Sequence, residues 1–148
     1  MTLWRIQTRP YGGEWPWERV WDYCVQEGVV GLGWQVDGAP ESIAEYERLY
    51  QIAHEGDSAG IGNVRRLTEV VPGDFIWTRD PYGLYWLGQA TGTWEYRNTE
   101  AARKADIANV VPVSLVQVGT NADVPGKVIA RFRARRTFQR ILRDPSRL

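Results

Sequence analysis

The sequence predicts one α+β domain built on a curved sheet or small twisted β-barrel flanked by helices. Three observations predict it. A chain of 148 residues suits one domain around one core. Apolar residues recur at helical spacing through the first half after an opening strand, whereas short alternating runs fill the second half beyond Pro72–Gly73. No internal repeat, low-complexity tract or linker divides residues 1–148.

Each element has its own local signal. Residues 3–8 set Leu3, Arg5 and Gln7 against Trp4, Ile6 and Thr8, the period-two pattern of a half-buried strand. Pro10-Tyr11-Gly12-Gly13 breaks it. Val20, Trp21, Cys24 and Val25 then mark a helix stopped by Gly28, and Val29 to Val36 follows as a strand whose glycines suit a bulge or a close backbone. Between Glu41 and Glu55 the residues Ile43, Tyr46, Leu49, Tyr50 and Ala53 line one helical face, ended by Gly56. Asp57 or Ser58 opens a further helix carrying Ile61, Val64 and Leu67. Beyond Pro72–Gly73, strands are expected at 74–79, 84–91, 93–97, 107–118 and 128–132, with a short closing helix on Phe138, Ile141 and Leu142.

Composition narrows the function classes. No apolar run reaches the ~20 residues of a membrane span, and the N-terminus lacks the pattern of a secretory signal, so the expected location is the cytoplasm. One cysteine (Cys24) and one histidine (His54) make a metal site improbable and fit a reducing compartment. The net charge is zero, but Lys127 to Leu148 holds eight basic residues against one acidic residue. Arginine outnumbers lysine sixteen to two, and a planar guanidinium suits phosphate contact and stacking.

Chemistry of a catalytic kind has no visible team. There is no nucleophile elbow, Walker loop, dinucleotide fingerprint or paired metal-ligand cysteine, and Cys24 lies on the apolar face of its helix. The expectation is a protein that is not an enzyme and needs no cofactor. Eight tryptophans and seven tyrosines are the unusual feature. Trp4, Trp21 and Trp77 sit in strong strand or helix patterns and are expected in the core, while the strand alternation leaves Trp86 ambiguous. Trp15, Trp17, Trp34 and Trp94 lie in or beside glycine- and proline-rich turns, which makes them candidates for a ligand cage.

Val30-Gly31-Leu32-Gly33-Trp34, Gly73-Asp74-Phe75-Ile76-Trp77-Thr78-Arg79 and Tyr85-Trp86-Leu87-Gly88-Gln89-Ala90-Thr91-Gly92-Thr93-Trp94-Glu95-Tyr96 together resemble the EVE/YTH-like branch of the PUA superfamily. They are most similar to the base-reading domains at the N-termini of bacterial modification-dependent restriction proteins. The resemblance extends over nearly the whole chain, through Pro125 to Phe132. It implies a small twisted barrel with a cavity that receives one nucleobase turned out of its strand, methylated or hydroxymethylated, with DNA favoured over RNA. The cage tryptophan on the second strand falls on Trp34 and a second on Trp94, with Trp17, Trp15 or Tyr96 as the third wall. Ser58 and Asn63 are the implied readers of the base edge. Arg65, Arg66, Arg133, Arg135 and Arg136 are the expected phosphate contacts. Many relatives are fused to a nuclease or motor domain, so the resemblance leaves three expectations open: a stand-alone reader, a part of a longer protein, or a subunit whose nuclease or motor partner is encoded separately.

Three alternatives stay open. One keeps the fold but binds structured or modified RNA such as tRNA. Another is a small hydrolase or transferase of the related ASCH type, which needs a charged group in the pocket, with Asp22, Glu95 and Asp57 as candidates. The third is a protein-interaction module whose exposed tryptophans form a partner surface.

Overall fold

The computed structural model describes residues 1–10, 16–133 and 137–141. Its elements form a mixed α+β fold in which a strongly curled, half-barrel sheet is flanked by helices.

Strand β1 (Leu3–Ile6) pairs in parallel with β3 (Phe75–Arg79), Leu3 opposite Phe75. Asp74 fastens the two: its carboxylate accepts from the Thr2 N–H (2.8 Å), the Val71 N–H (3.2 Å) and Trp4 Nε1 (3.2 Å). Burial raises the Asp74 pKa, but these donors and the N-terminal charge outweigh it and hold the carboxyl below its usual range.

Helix α1 (Trp17–Glu27) buries Val20, Trp21, Tyr23 and Cys24, and Gly28 ends it in the left-handed conformation at φ 64°. Strand β2 covers only Val29–Leu32, although alternation in the sequence runs to Val36. The reason is Trp34, whose own left-handed φ of 50° turns the chain out of the sheet. Helix α2 (Ile43–Ala53) starts at a reciprocal cap: Ser42 Oγ accepts from the Glu45 N–H, and the Glu45 carboxylate accepts from the Glu41 N–H. Helix α3 (Ala59–Leu67) is opened by Asp57, whose Oδ1 accepts from the Ala59 N–H.

The β-rich half carries β3, β4 (Tyr85–Ala90), β5 (Glu95–Tyr96) and the eleven-residue β6 (Asn109–Gly119). Between β5 and β6 lies α4 (Glu100–Ala105), which the turn and strand signals do not predict. Thr99 caps it by accepting from the Ala102 N–H, and Asp106 closes it at φ 53°.

Two expectations are reversed near the C-terminus. Residues 128–132, expected as a strand, lie in helix α5 (Gly126–Phe132), because Val128, Ile129 and Phe132 share one helical face that packs on Trp77 and Tyr85. The expected closing helix is instead β7 (Phe138–Arg140), which pairs antiparallel with β1. Phe138 stacks on Trp4 at 4.9 Å and 11°, and the Gln7 and Ile141 N–H groups extend the ladder to Thr137 O and Leu3 O. The free edge of β1 outweighs a local helical spacing.

The strand order is β2-β6-β4-β3-β1-β7, with β5 also on β6. Residues 109–112 of β6 pair with β2, while 113–119 pair with β4, so one long strand carries both halves of the curl. The largest core cluster joins Trp4, Ile6, Ile76 and Phe138 of the sheet to Tyr46, Tyr50, Val64 and Leu67 of α2 and α3. Trp4, Trp21 and Trp77 are all buried. Trp86 is half-buried, tilted on Trp21 and donating to Asp80 Oδ2. Among the described residues no helix is long and apolar enough to cross a membrane.

Candidate functional site

The end of β2 and the start of β6 approach each other too closely for side chains. A Cβ on Gly31 would collide with the Asn109 carbonyl oxygen, and one on Gly33 would sit 2.7 Å from the Asp106 carboxylate. The backbone contact makes glycine obligatory at position 31, the Asp106 side chain crowds Gly33, and Trp34 follows directly.

A tryptophan in the left-handed region costs roughly 1–2 kcal/mol, so the surroundings must hold it there. Tyr46 Oη donates to Trp34 O (2.9 Å), Asn109 Nδ2 donates to Gly33 O (2.7 Å), and Tyr96 Oη accepts from the Val36 N–H (2.9 Å) and donates to Val36 O (3.1 Å). The indole rests on α3 at Gly60, where a Cβ would come within 2.5 Å of the ring. Backbone and ring are both fixed.

The indole lines a cavity of about 440 Å³, within the range of small-ligand sites. Trp34 is its only tryptophan, tyrosine or phenylalanine wall among the described residues. The other walls come from Gln7–Pro10 after β1, Val20 of α1, Leu32, Ile107 and Thr137. Four further side chains add polarity: Gln35, His54, Asp57 and Asp106.

Three of these groups, Gln35, His54 and Asp106, are linked. Gln35 Nε2 donates to Asp106 Oδ1 (2.8 Å) and to Arg103 O (2.9 Å), while His54 Nε2 donates to the Gln35 carbonyl oxygen (2.7 Å). Burial pushes the Asp106 carboxyl up, opposed by the Gln35 hydrogen bond and the nearby His54. Asp106 Oδ1 is occupied; Oδ2 has no hydrogen-bond partner among the described residues and remains available to a donor brought into the cavity.

The residues expected to form a cage divide into two groups. Trp34 lines the cavity, but Trp94 and Tyr96 do not. Trp94 donates from Nε1 to Asn109 Oδ1 (3.0 Å) and meets Tyr46 edge-on at 6.1 Å, while Tyr96 lies 5.9 Å from the same ring. They belong to an aromatic cluster that buttresses the Trp34 turn from the core side. The structure therefore does not bring Trp34 and Trp94 together as two walls of one cavity. Trp17 stands beside the cavity: its Nε1 donates to Thr8 Oγ1, and the Arg9 guanidinium lies 5.6 Å from its ring centroid. Trp15 lies outside the described residues.

The expected edge readers are also displaced. Ser58 is exposed ahead of α3, and Asn63 Nδ2 donates to Ala59 O within the helix; neither lines the cavity. Arg65 is paired with Glu47 at 2.6 Å, Arg66 donates to Phe138 O, and Arg133 is exposed at the end of α5. Arg135 and Arg136 lie outside the described residues. What the sequence reasoning missed is Gln35, His54 and Asp106. Asp106 ends a helix that was itself not predicted, and no local pattern brings it to Gly33.

No protein-family model matches the chain, and no curated protein matches it.

Proposed function

We propose that the chain reads a single nucleobase, modified by methylation or hydroxymethylation and carried most readily in DNA, in the cavity beside Trp34. The observation that carries this is the pairing of a fixed, left-handed indole platform with an available carboxylate oxygen in one cavity of suitable size. The curled sheet flanked by helices is compatible with an EVE/YTH-like domain of the PUA superfamily, and the likeness of the Gly31–Trp34 segment supports that assignment. A restriction or defence system with a separately encoded nuclease or motor would use such a reader.

In this scheme the base stacks on Trp34, which returns roughly 1–3 kcal/mol against an extrusion cost of a few kcal/mol from a duplex. One aromatic wall alone falls short of that cost, so single-stranded, mismatched or already distorted sites are bound better than intact duplex. Asp106 reads the edge of the base. Ionised, it accepts from an N–H or exocyclic amine; protonated, it also donates to a ring nitrogen. A methyl group adds about 0.8 kcal/mol of burial, enough for only a few-fold preference, so stronger selectivity depends on the hydrogen bonds.

The deciding measurement is a binding screen of short single strands and duplexes carrying 5-methylcytosine, 5-hydroxymethylcytosine, 4-methylcytosine or 6-methyladenine, with RNA counterparts as controls. Wild type is expected to prefer one modified base, and Trp34→Ala to abolish that preference. A variant that keeps the full preference removes Trp34 from the site, and tighter binding of the RNA set moves the chain to the RNA-reading alternative.

One observation favours a second proposal, a small hydrolase acting on a nucleoside or nucleotide. Asp57, His54 and Asp106 line the same cavity, and the raised Asp106 carboxyl suits proton transfer. Asp22 and Glu95, the other candidates for such chemistry, are exposed and line neither this cavity nor its neighbour. Incubation with modified nucleosides followed by product analysis separates the two: unchanged ligand supports a reader, and a released product supports the hydrolase.

A further inference from the structure

A second hollow, of about 430 Å³, lies between α1 and α4. Pro16, Tyr23 and Ala101 form part of its apolar wall, and among the described residues Arg19 and Lys104 are its two cations and no carboxylate lines it. Val20 and Ala105 line this hollow and also the Trp34 cavity, so the two adjoin across that pair of side chains.

The cations differ in how far they are committed. No ion pair engages Arg19 among the described residues, and Lys104 meets only Glu100 at 2.9 Å. That pair is 76% and 82% exposed, so it adds little and exchanges readily for another anion. The neighbouring arginines are spent differently. Arg103 holds the Val36 carbonyl and Asn98, and Arg97 pairs with Glu95 and Glu27. Arg65 and Arg66, expected to hold phosphate, are occupied on the far helix α3.

We propose that the α1–α4 hollow is a phosphodiester subsite. Arg19 and Lys104 hold the backbone phosphate adjoining the nucleotide whose base fills the Trp34 cavity, and the Pro16–Tyr23 wall takes the adjacent sugar. The strand then runs along α1 and α4, with Arg9 at the other rim of the cavity. This rests on the base-binding proposal, and the two can fail separately.

The test uses the intact chain, the modified and unmodified oligonucleotides of the screen above, and the matching free nucleosides. In the Arg19→Gln/Lys104→Gln double variant, both substitutions fall on exposed positions, and an unchanged unfolding midpoint confirms the fold. The variant is expected to weaken modified and unmodified oligonucleotides alike and to flatten the logarithmic salt dependence by about 0.7 for single strands or about 0.9 for duplexes. Nucleoside affinity should stay at the wild-type value. An unchanged salt slope, with nucleosides still bound, overturns the subsite and leaves the base reader standing. Equal loss on nucleosides and oligonucleotides also overturns it, since the two cations would then be acting through the cavity. If wild type binds neither probe, both proposals fall.

Discussion

Trp34 and Trp94 have similar settings in the sequence. Each closely follows a glycine, each is half-buried, and each packs against the same core cluster. Their surroundings in space are opposite. Trp94 has its indole N–H satisfied by Asn109 and its ring wedged against Tyr46, whereas Trp34 Nε1 has no hydrogen-bond partner among the described residues and its ring lines a cavity. An aromatic residue at a turn thus faces a cavity or is packed into the core according to whether a distant strand supplies a partner for its polar atom.

The contrast can be broken by substitution. Trp94→Ala should have the largest effect on stability, about 3 kcal/mol, while Trp34→Ala should cost less than half as much because its ring borders a cavity and its removal strands no hydrogen-bond partner. Chemical denaturation measures both, and a reversed order would exchange the two roles. Asn109→Leu comes next at about 2 kcal/mol, since it strands the Trp94 N–H and the Gly33 carbonyl in the interior.

Gly60→Ala sharpens the comparison from the other side. Alanine favours a helix by about 1 kcal/mol over glycine, but its Cβ must displace the Trp34 ring. Stability is expected to change by less than about 1 kcal/mol while tryptophan fluorescence shifts and the modified-base preference falls. Unaltered fluorescence would show that the indole does not rest on α3.

The smallest effects are those of pH. Asp106 has a raised pKa, so its contribution is fully present below the unfolded value near 3.8 and is lost as pH rises through the folded one. Asp106→Asn should therefore match wild type in acid and gain on it as the pH rises toward neutral. Asp74, held low, behaves oppositely: its contribution is present above the unfolded pKa and disappears as pH falls through the folded one. Asp74→Asn should lose stability at neutral pH and converge with wild type in acid. Unfolding midpoints across one pH series check both signs.

Elements with strong internal periodicity were legible in the sequence. Helices α1, α2 and α3 and strands β1, β3, β4 and β6 lie where apolar spacing and the Gly28, Gly56 and Pro72–Gly73 stops put them. Residues 128–132 and 138–141 were misread because both segments answer to distant partners. Val128 and Phe132 pack on Trp77 and Tyr85, and Phe138 completes the edge of β1, 132 residues away at Ile6. The site divides the same way. Trp34 stands in a local glycine-tryptophan motif and could be found, whereas Asp106 and His54 reach Gln35 from 71 and 19 residues away and leave no local trace.

The left-handed turn at Trp34 also bears on how the molecule avoids its own kind. The curled sheet does not close on itself, and β2 and β7, the strands at its two ends, are four and three residues long. Long exposed edges recruit strands from neighbouring chains and seed aggregation. By bending the backbone away after Leu32, Trp34 keeps β2 too short to serve as such a template, so the turn that places its ring beside the cavity also limits unwanted self-association.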